Sequence, residues 1–337
     1  MTSTTRGGDT QRAPFDTGSV SLGLHPPSEA TATGQVAALL EHARAAEATG
    51  FDGVTVPEHH AGFVGYMPQP LLACSWALAH TDTLWAAPCP LLLTLREPVL
   101  VAEQLAWTNA RFPGRVAAAI APGYSASDFA AVGRAFESRI EDFTAALDSF
   151  VGALFADGPV GGDAAIAAWA AAPGPILRAT NSTPAVRRAA AGGLGVVFPG
   201  GENVERLGRL ADAYRAAGGG GAVVWIRNLW LGDAGDEAVG DLERVYRAAA
   251  PAGMRQQQGF RDPMLTGSTA EVADQLIAGL TAVGATSLNV RFFVPGTLQV
   301  DVTDQITRFG HEVLPLVRAH FSESPSCTAS AKGSGRP

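Results

Sequence analysis

The amino-acid sequence predicts a single (β/α)8 barrel, the TIM-barrel class of α/β fold. Short apolar, β-branched runs alternate with Ala- and Leu-rich helical segments, and the alternation repeats eight times. Several runs stop at polar or ionisable residues, where a parallel barrel gathers its strand ends into an active site. With 337 residues, 47% of them apolar and 17% charged, the chain can bury one large core. A doubly wound open sheet is the structural alternative.

Residues 1–17 and 322–337 are rich in Ser, Thr, Gly and Pro and read as tails, with the barrel over 18–321. The first strand is predicted over 20–24. Its helix, over 35–49, carries Val36, Leu39, Leu40, Ala43 and Ala46 at helical spacing and closes at Gly50. The second strand, 54–56, runs into Pro57-Glu58-His59-His60, and Pro70 opens the next helix. The third, 83–87, is cut short by Pro88 and Pro90, which cannot sit in a central ladder, and a helix follows over 98–110. The fourth, 116–121, ends at Pro122-Gly123-Tyr124, with helices near 127–132 and 137–155.

Residues 158–174 are Gly-, Ala- and Pro-rich and read as a loop with room for one short helix. The fifth strand, 175–179, ends at Thr180-Asn181-Ser182-Thr183 before a helix at Pro184. The sixth, 195–198, closes at Pro199-Gly200-Gly201, and the seventh spans 222–226. A helix over 236–250 precedes a polar insert, 254–265. Ser268 and Glu271 then form a capping-box pattern for a helix ending at Gly284. The eighth strand, 287–293, and a helix to about 320 complete the count.

The formal net charge of -8 disfavours nucleic-acid and anionic-membrane partners. No run of apolar residues is long enough for a membrane helix, and the N-terminal stretch lacks a secretory apolar core, so a cytoplasmic protein is expected. Cys74, Cys89 and Cys327 are widely spaced, without metal-ligand spacing. GxxxxGKS/T, HExxH and GxSxG are absent from the sequence.

The candidate chemistry lies at the strand ends. Glu58, His59 and His60 place a carboxylate and two imidazoles after the second strand, and imidazole can exchange protons near neutral pH. Thr180, Asn181, Ser182 and Thr183 precede a helix whose free N–H groups favour an anion. Tyr124, Phe198, Trp225, Phe292 and Phe293 fall where they could wall an apolar pocket, and Arg227 and Arg291 where they could meet an anionic ligand or a structural ion-pair partner.

Together these landmarks resemble the bacterial-luciferase-like family of flavin- and deazaflavin-dependent oxidoreductases over about residues 19–320. The resemblance is carried by Gly50-Phe51-Asp52-Gly53-Val54 leading to Glu58-His59-His60, and by Pro98-Val99 with Ala102-Glu103-Gln104. Gly114-Arg115, Pro122-Gly123-Tyr124 with Asp128-Phe129, the turn from Thr180 to Thr183, and Gly267-Ser268-Thr269-Ala270-Glu271 with Gly284 continue it.

The resemblance implies a two-component monooxygenase. A separate reductase supplies FMNH2, O2 adds at flavin C(4a), and one oxygen atom reaches a small organic substrate, for which the apolar, aromatic strand ends suggest a hydrophobic metabolite. It assigns proton handling to His59, with Glu58 and His60 orienting it, and phosphate binding to the turn with Ser182 and Thr183. It places a cis peptide at Cys89-Pro90 beneath the flavin ring. From their strand-end positions Tyr124, Phe198 and Gly200 are the candidates beside such a cofactor, and Trp225, Arg227, Arg291 and Phe293 those around the substrate. A homodimer is implied in the same way. The rival readings are hydride transfer with the deazaflavin coenzyme F-420 and a non-catalytic flavin-binding subunit.

The sequence also departs from the family. Ala121 and Pro122 stand where the luciferases carry a reactive cysteine and a phosphate-binding arginine, and Glu97-Pro98 replaces a His-Pro. Asn109 replaces the acidic residue before Gly-Arg, and residues 156–175 are short for the family's lid insertion.

Overall fold

The computed structural model describes residues 12–27, 31–200, 203–249, 264–296 and 299–323. Eight parallel strand positions close into a barrel. The strands are β1 (Val20–Gly23), β2 (Gly53–Val56), β3 (Trp85–Pro88) with its short continuation β4 (Leu91–Leu92), β5 (Ala118–Ala121), β6 (Ile176–Ala179), β7 (Gly195–Phe198), β8 (Val223–Leu231) and β10 (Ser287–Arg291). Their spatial order is β3-β2-β1-β10-β8-β7-β6-β5-β4. Ala86 bridges Val116 and joins β3 to the foot of β5, which closes the ring.

The interruption at β3/β4 follows from the prolines, and the Cys89-Pro90 bond is cis, as the resemblance implies. The seventh strand runs past its expected end, from Val223 to Leu231, and pairs with an additional strand, β9 (Leu265–Gly267).

The helices alternate with the strands: α1 (Ala32–Ala48), α2 (Pro70–His80), α3 (Pro98–Arg111), α4 (Ala126–Ala131), α5 (Arg139–Ala153), α6 (Ala164–Ala171), α7 (Thr183–Ala191), α8 (Val204–Ala216), α9 (Asp236–Ala249), α10 (Thr269–Val283), α11 (Gln299–Arg308) and α12 (Leu314–Glu323). Helix α6 supplies the short helix expected within 158–174. The α10 capping box is formed, with Glu271 N–H donating to Ser268 Oγ and Ser268 N–H to Glu271 Oε2. Gly284 ends that helix at φ +65°, where a side chain would be strained.

Strand alternation sorts the side chains into two cores. Val20, Leu22, Val54, Val56, Val196, Phe198 and Trp225 face the helix layer. Ala87, Cys89, Ala117, Ala119, Leu177, Val197, Val224 and Ile226 fill the lumen from one side. The opposite side is polar: Asn289 Nδ2 donates to Ser21 Oγ at 3.0 Å and Thr55 Oγ1 at 2.9 Å.

The foot of the lumen is plugged by Trp85 and Phe15, whose ring centroids lie 4.6 Å apart. This moves one expected boundary. Residues 12–17 were assigned to a tail, but Phe15 is buried against Trp85 of β3 and belongs to the core. At the other end the last helix takes in Ser322 and Glu323 of the expected tail, while residues 1–11 and 324–337, most of the 254–265 insert and Cys327 lie outside the described residues. Among the described residues, no helix is long and apolar enough to cross a membrane, and no cluster of His, Cys, Asp and Glu has the geometry of a metal site.

Candidate active site

Strand β2 delivers Glu58, His59 and His60 to the carboxyl-terminal mouth, and β5 delivers Tyr124 through a turn in which Gly123 takes φ +78°. Four residues beyond Tyr124, the first turn of α4 presents Asp128, which is fully buried. His59 Nδ1 lies 2.7 Å from Asp128 Oδ2, and His59 Nε2 lies 3.1 Å from the Tyr124 hydroxyl. The carboxylate only accepts, so Nδ1 carries the imidazole proton; in the neutral ring Nε2 is then an acceptor for the phenol O–H. The second carboxylate oxygen, Oδ1, accepts the His60 backbone N–H at 2.9 Å. Asp128 therefore fixes both the tautomer and the position of the His59 ring.

Glu58 performs a separate task. Its Oε2 accepts from Leu92 N at 2.8 Å, and its Oε1 meets Arg96 Nη2 at 2.6 Å and His60 Nε2 at 2.7 Å. Arg96 also donates to the Pro68 carbonyl at 3.0 Å and to Gln69 Oε1 at 3.1 Å. The carboxylate thus pins the end of β2 to β4 and to the chain leading into α2.

Around His59 stands an aromatic wall. Phe63 stacks on it at 4.1 Å, and Tyr66 and Tyr124 meet it edge-on at 4.7 and 5.1 Å. Tyr66 also abuts His25, which stacks on Phe293 at 4.6 Å. Gly65 is required at this junction. It has φ +74°, and a Cβ there would lie 2.0 Å from the Phe293 ring.

His25 donates from Nδ1 to the Gly65 carbonyl at 2.9 Å, which leaves Nε2 as a buried acceptor without a partner among the described residues. Burial, reinforced by the nearby Arg291 guanidinium, holds His25 well below the ordinary imidazole range, so it is neutral. Burial pushes the Cys89 thiol up to about 11 despite the opposing influence of Arg291.

The structure brings Glu58, His59, His60, Cys89, Tyr124, Arg291 and Phe293 to one end of the lumen. Pro90 follows the Cys89 carbonyl, which accepts from Arg291 Nη2 at 3.0 Å. Thr180, Asn181, Ser182 and Thr183 form the turn between β6 and α7, three strand positions around the barrel from β2. There Thr180 Oγ1 accepts from Ser182 N at 3.3 Å, the Ser182 side chain makes no capping bond, and Arg206 donates to the Asn181 carbonyl at 2.6 Å. Gly200 passes close to β8, where a Cβ would lie 2.8 Å from the Ile226 carbonyl oxygen.

Four residues depart from expectation. Phe198 and Trp225 have the outward parity of their strands and pack under the helices, Trp225 against Gly279 of α10, and Phe292 packs in the same outer cluster against Phe309. Arg227 shares that parity, with its guanidinium 5.9 Å from the Trp225 ring. Their side chains are therefore parts of the outer core and not pocket walls.

Sequence reasoning named no role for Asp128, Arg96, Tyr66 or His25. The available signal for Asp128 was its place in the first helical turn after Tyr124. His25 directly follows Leu24 at the end of β1, a strand-end position like that of the Glu-His-His run.

The closed parallel barrel thus carries a buried carboxylate–imidazole–phenol chain at its carboxyl-terminal mouth. The chain belongs to the luciferase-like monooxygenase family, whose model matches residues 17–284. It is similar in structure to the monooxygenase RslO1 from Streptomyces bottropensis, with TM-score 0.74 and 21% identity over 88% of this chain and 99% of that one. It also resembles the oxygenating constituent of 3,6-diketocamphane monooxygenase of Pseudomonas putida, a type II Baeyer–Villiger enzyme in complex with FMN, with TM-score 0.69 and 16% identity over 88% and 98% of the two chains. A coenzyme F-420-dependent secondary alcohol dehydrogenase with an acetone adduct matches with TM-score 0.65 and 14% identity over 90% and 99%.

Proposed function

We propose that the protein is the oxygenase of a two-component system, using FMNH2 from a separate reductase and O2 to oxygenate a small hydrophobic substrate. The observation that carries this reading is the Asp128–His59–Tyr124 chain, set among aromatic rings at the mouth of a family barrel. When bound, FMNH2 supplies the electrons that reduce O2, so that one oxygen atom passes to substrate and the other leaves as water.

The residues present suit such a cofactor. The unpartnered Nε2 of His25 accepts an N–H or O–H from a ligand at the mouth. The Ser182 hydroxyl, free of capping duty, and the first N–H groups of α7 suit the phosphate, with Arg206 at the neighbouring Asn181 in place of the missing family arginine. His59 holds or releases a proton at Nε2, Tyr124 relays it toward the pocket, and Asp128 stabilises the protonated ring. Phe63, Tyr66 and Phe293 exclude water.

The test is anaerobic titration of the protein with FMNH2 and with reduced deazaflavin coenzyme, followed by admission of oxygen. FMNH2 binding with an oxygen reaction altered from that of free FMNH2 supports the proposal. Tight deazaflavin binding with no oxygen uptake contradicts it in favour of hydride transfer.

A further inference from the structure

Arg291 ends β10 and points inward with Ser287 and Asn289. It is only 7% exposed. Its Nε donates to Asn289 Oδ1 at 3.2 Å and its Nη2 to the Cys89 carbonyl at 3.0 Å, both neutral acceptors. The guanidinium also lies against the Cys89 thiol, another neutral group, and among the described residues no carboxylate forms an ion pair with it.

The charges around it do not compensate. His25 is neutral, and the Cys89 thiol stays protonated. Glu58 is turned to Arg96, His60 and the Leu92 N–H, while Asp128 is turned to His59 and His60. Burying an unpaired fixed cation is costly, and proteins ordinarily pair such a group. Here the backbone is shaped to admit it: β1 carries Gly23 opposite, where a Cβ would lie 2.6 Å from Arg291 Cγ.

We infer that Arg291 is the counter-charge for an anionic ring seated at the barrel mouth, namely the reduced isoalloxazine of the cofactor, an inference that rests on the flavin reading above. Reduced flavin loses a ring proton near neutral pH and becomes a delocalised anion, whereas the oxidised ring is neutral. Both forms carry the same phosphate. A cation in the floor therefore favours the reduced form, and the protein collects the cofactor in the state the reductase delivers and relaxes its hold on the spent form.

The experiment compares dissociation constants for FMN and, anaerobically, FMNH2 at pH 8, read by quenching of tryptophan fluorescence. The proteins are the full chain, Arg291→Met, Arg291→Gln and Arg291→Lys, each checked by circular dichroism. The wild type is expected to bind FMNH2 more tightly than FMN. Arg291→Met is expected to weaken FMNH2 binding about tenfold or more while changing FMN binding less than about threefold. Arg291→Lys is expected to retain most of the preference. Arg291→Gln keeps a donor for the Cys89 carbonyl and gives the same reading if the Met variant does not fold. An unchanged FMN/FMNH2 ratio in the folded neutral variants overturns the inference while leaving the flavin reading intact. Failure of the wild type to bind either form overturns the flavin reading itself and the inference with it.

Discussion

His59 Nδ1 and Asp128 Oδ2 lie 2.7 Å apart although 69 residues separate them, one following β2 and the other opening α4. The fully buried carboxylate leaves the imidazole one arrangement, Nδ1–H inward and Nε2 toward Tyr124. The pair thus converts a strand-end histidine into an oriented acid–base group.

Asp128→Asn keeps the size of the side chain but removes its charge and lets an amide N–H compete for the ring. Loss of orientation is expected to slow turnover about 100-fold, the lower end of the general acid–base range, with little effect on FMNH2 affinity. Steady-state oxygen uptake together with an anaerobic binding titration checks this. A parallel loss of binding would assign Asp128 a role in building the pocket instead.

Glu58→Ala strands the Arg96 guanidinium and the Leu92 N–H, both of which its carboxylate now satisfies. Breaking a buried ion pair on one side is expected to destabilise the fold by about 3 kcal/mol. Urea unfolding of Glu58→Ala beside Glu58→Gln, which retains an acceptor, measures it, and the Gln variant is expected to lose less.

Acid should destabilise the protein before its carboxylates titrate. Burial holds His25 and His42 below the usual 6.5, so the unfolded chain binds protons that the folded chain refuses. Stability is then full above pH 6.5 and falls as pH drops below it, by up to about 1.4 kcal/mol per pH unit for each imidazole. His42→Leu is expected to flatten that slope between pH 6.5 and 5. A slope equal to the wild type's would show that His42 takes up its proton in the folded state.

Outward parity separates Phe198 from Tyr124. Phe198→Ala opens a cavity under the helices and is expected to cost about 3–5 kcal/mol of stability without changing FMNH2 affinity. Tyr124→Phe removes only the hydroxyl that faces His59 Nε2, and is expected to leave stability nearly unchanged while slowing the oxygen reaction. Chemical denaturation and flavin titration of both variants test the division.

Much of this architecture was legible because parallel strands announce themselves twice, by β-branched runs and by the residues that stop them. The Glu-His-His stop after β2, the proline break at Cys89-Pro90 and the Ser268/Glu271 cap are local features, and each is found where the pattern puts it. Parity was not legible. A one-residue change of register reverses every side chain, so an aromatic at or just past a strand end meets His25 and Tyr66 at the mouth in Phe293 and the helices in Phe198 and Trp225. Asp128, Arg96 and His25 were missed because their roles arise from contacts between different βα units. Phe15 was missed because a single aromatic in a polar stretch gives no periodic signal.

The central claim is that His59 controls protons at a reduced-flavin site, and single-turnover reoxidation tests it most directly. Wild type and His59→Asn, each loaded anaerobically with FMNH2, are mixed with oxygen, and flavin reoxidation and hydrogen peroxide release are followed. The account predicts that His59→Asn binds FMNH2 within about threefold of wild type yet changes the reoxidation rate by about 100-fold, a shift of acid–base size. Equal rates of reoxidation and peroxide release in the two proteins would contradict it.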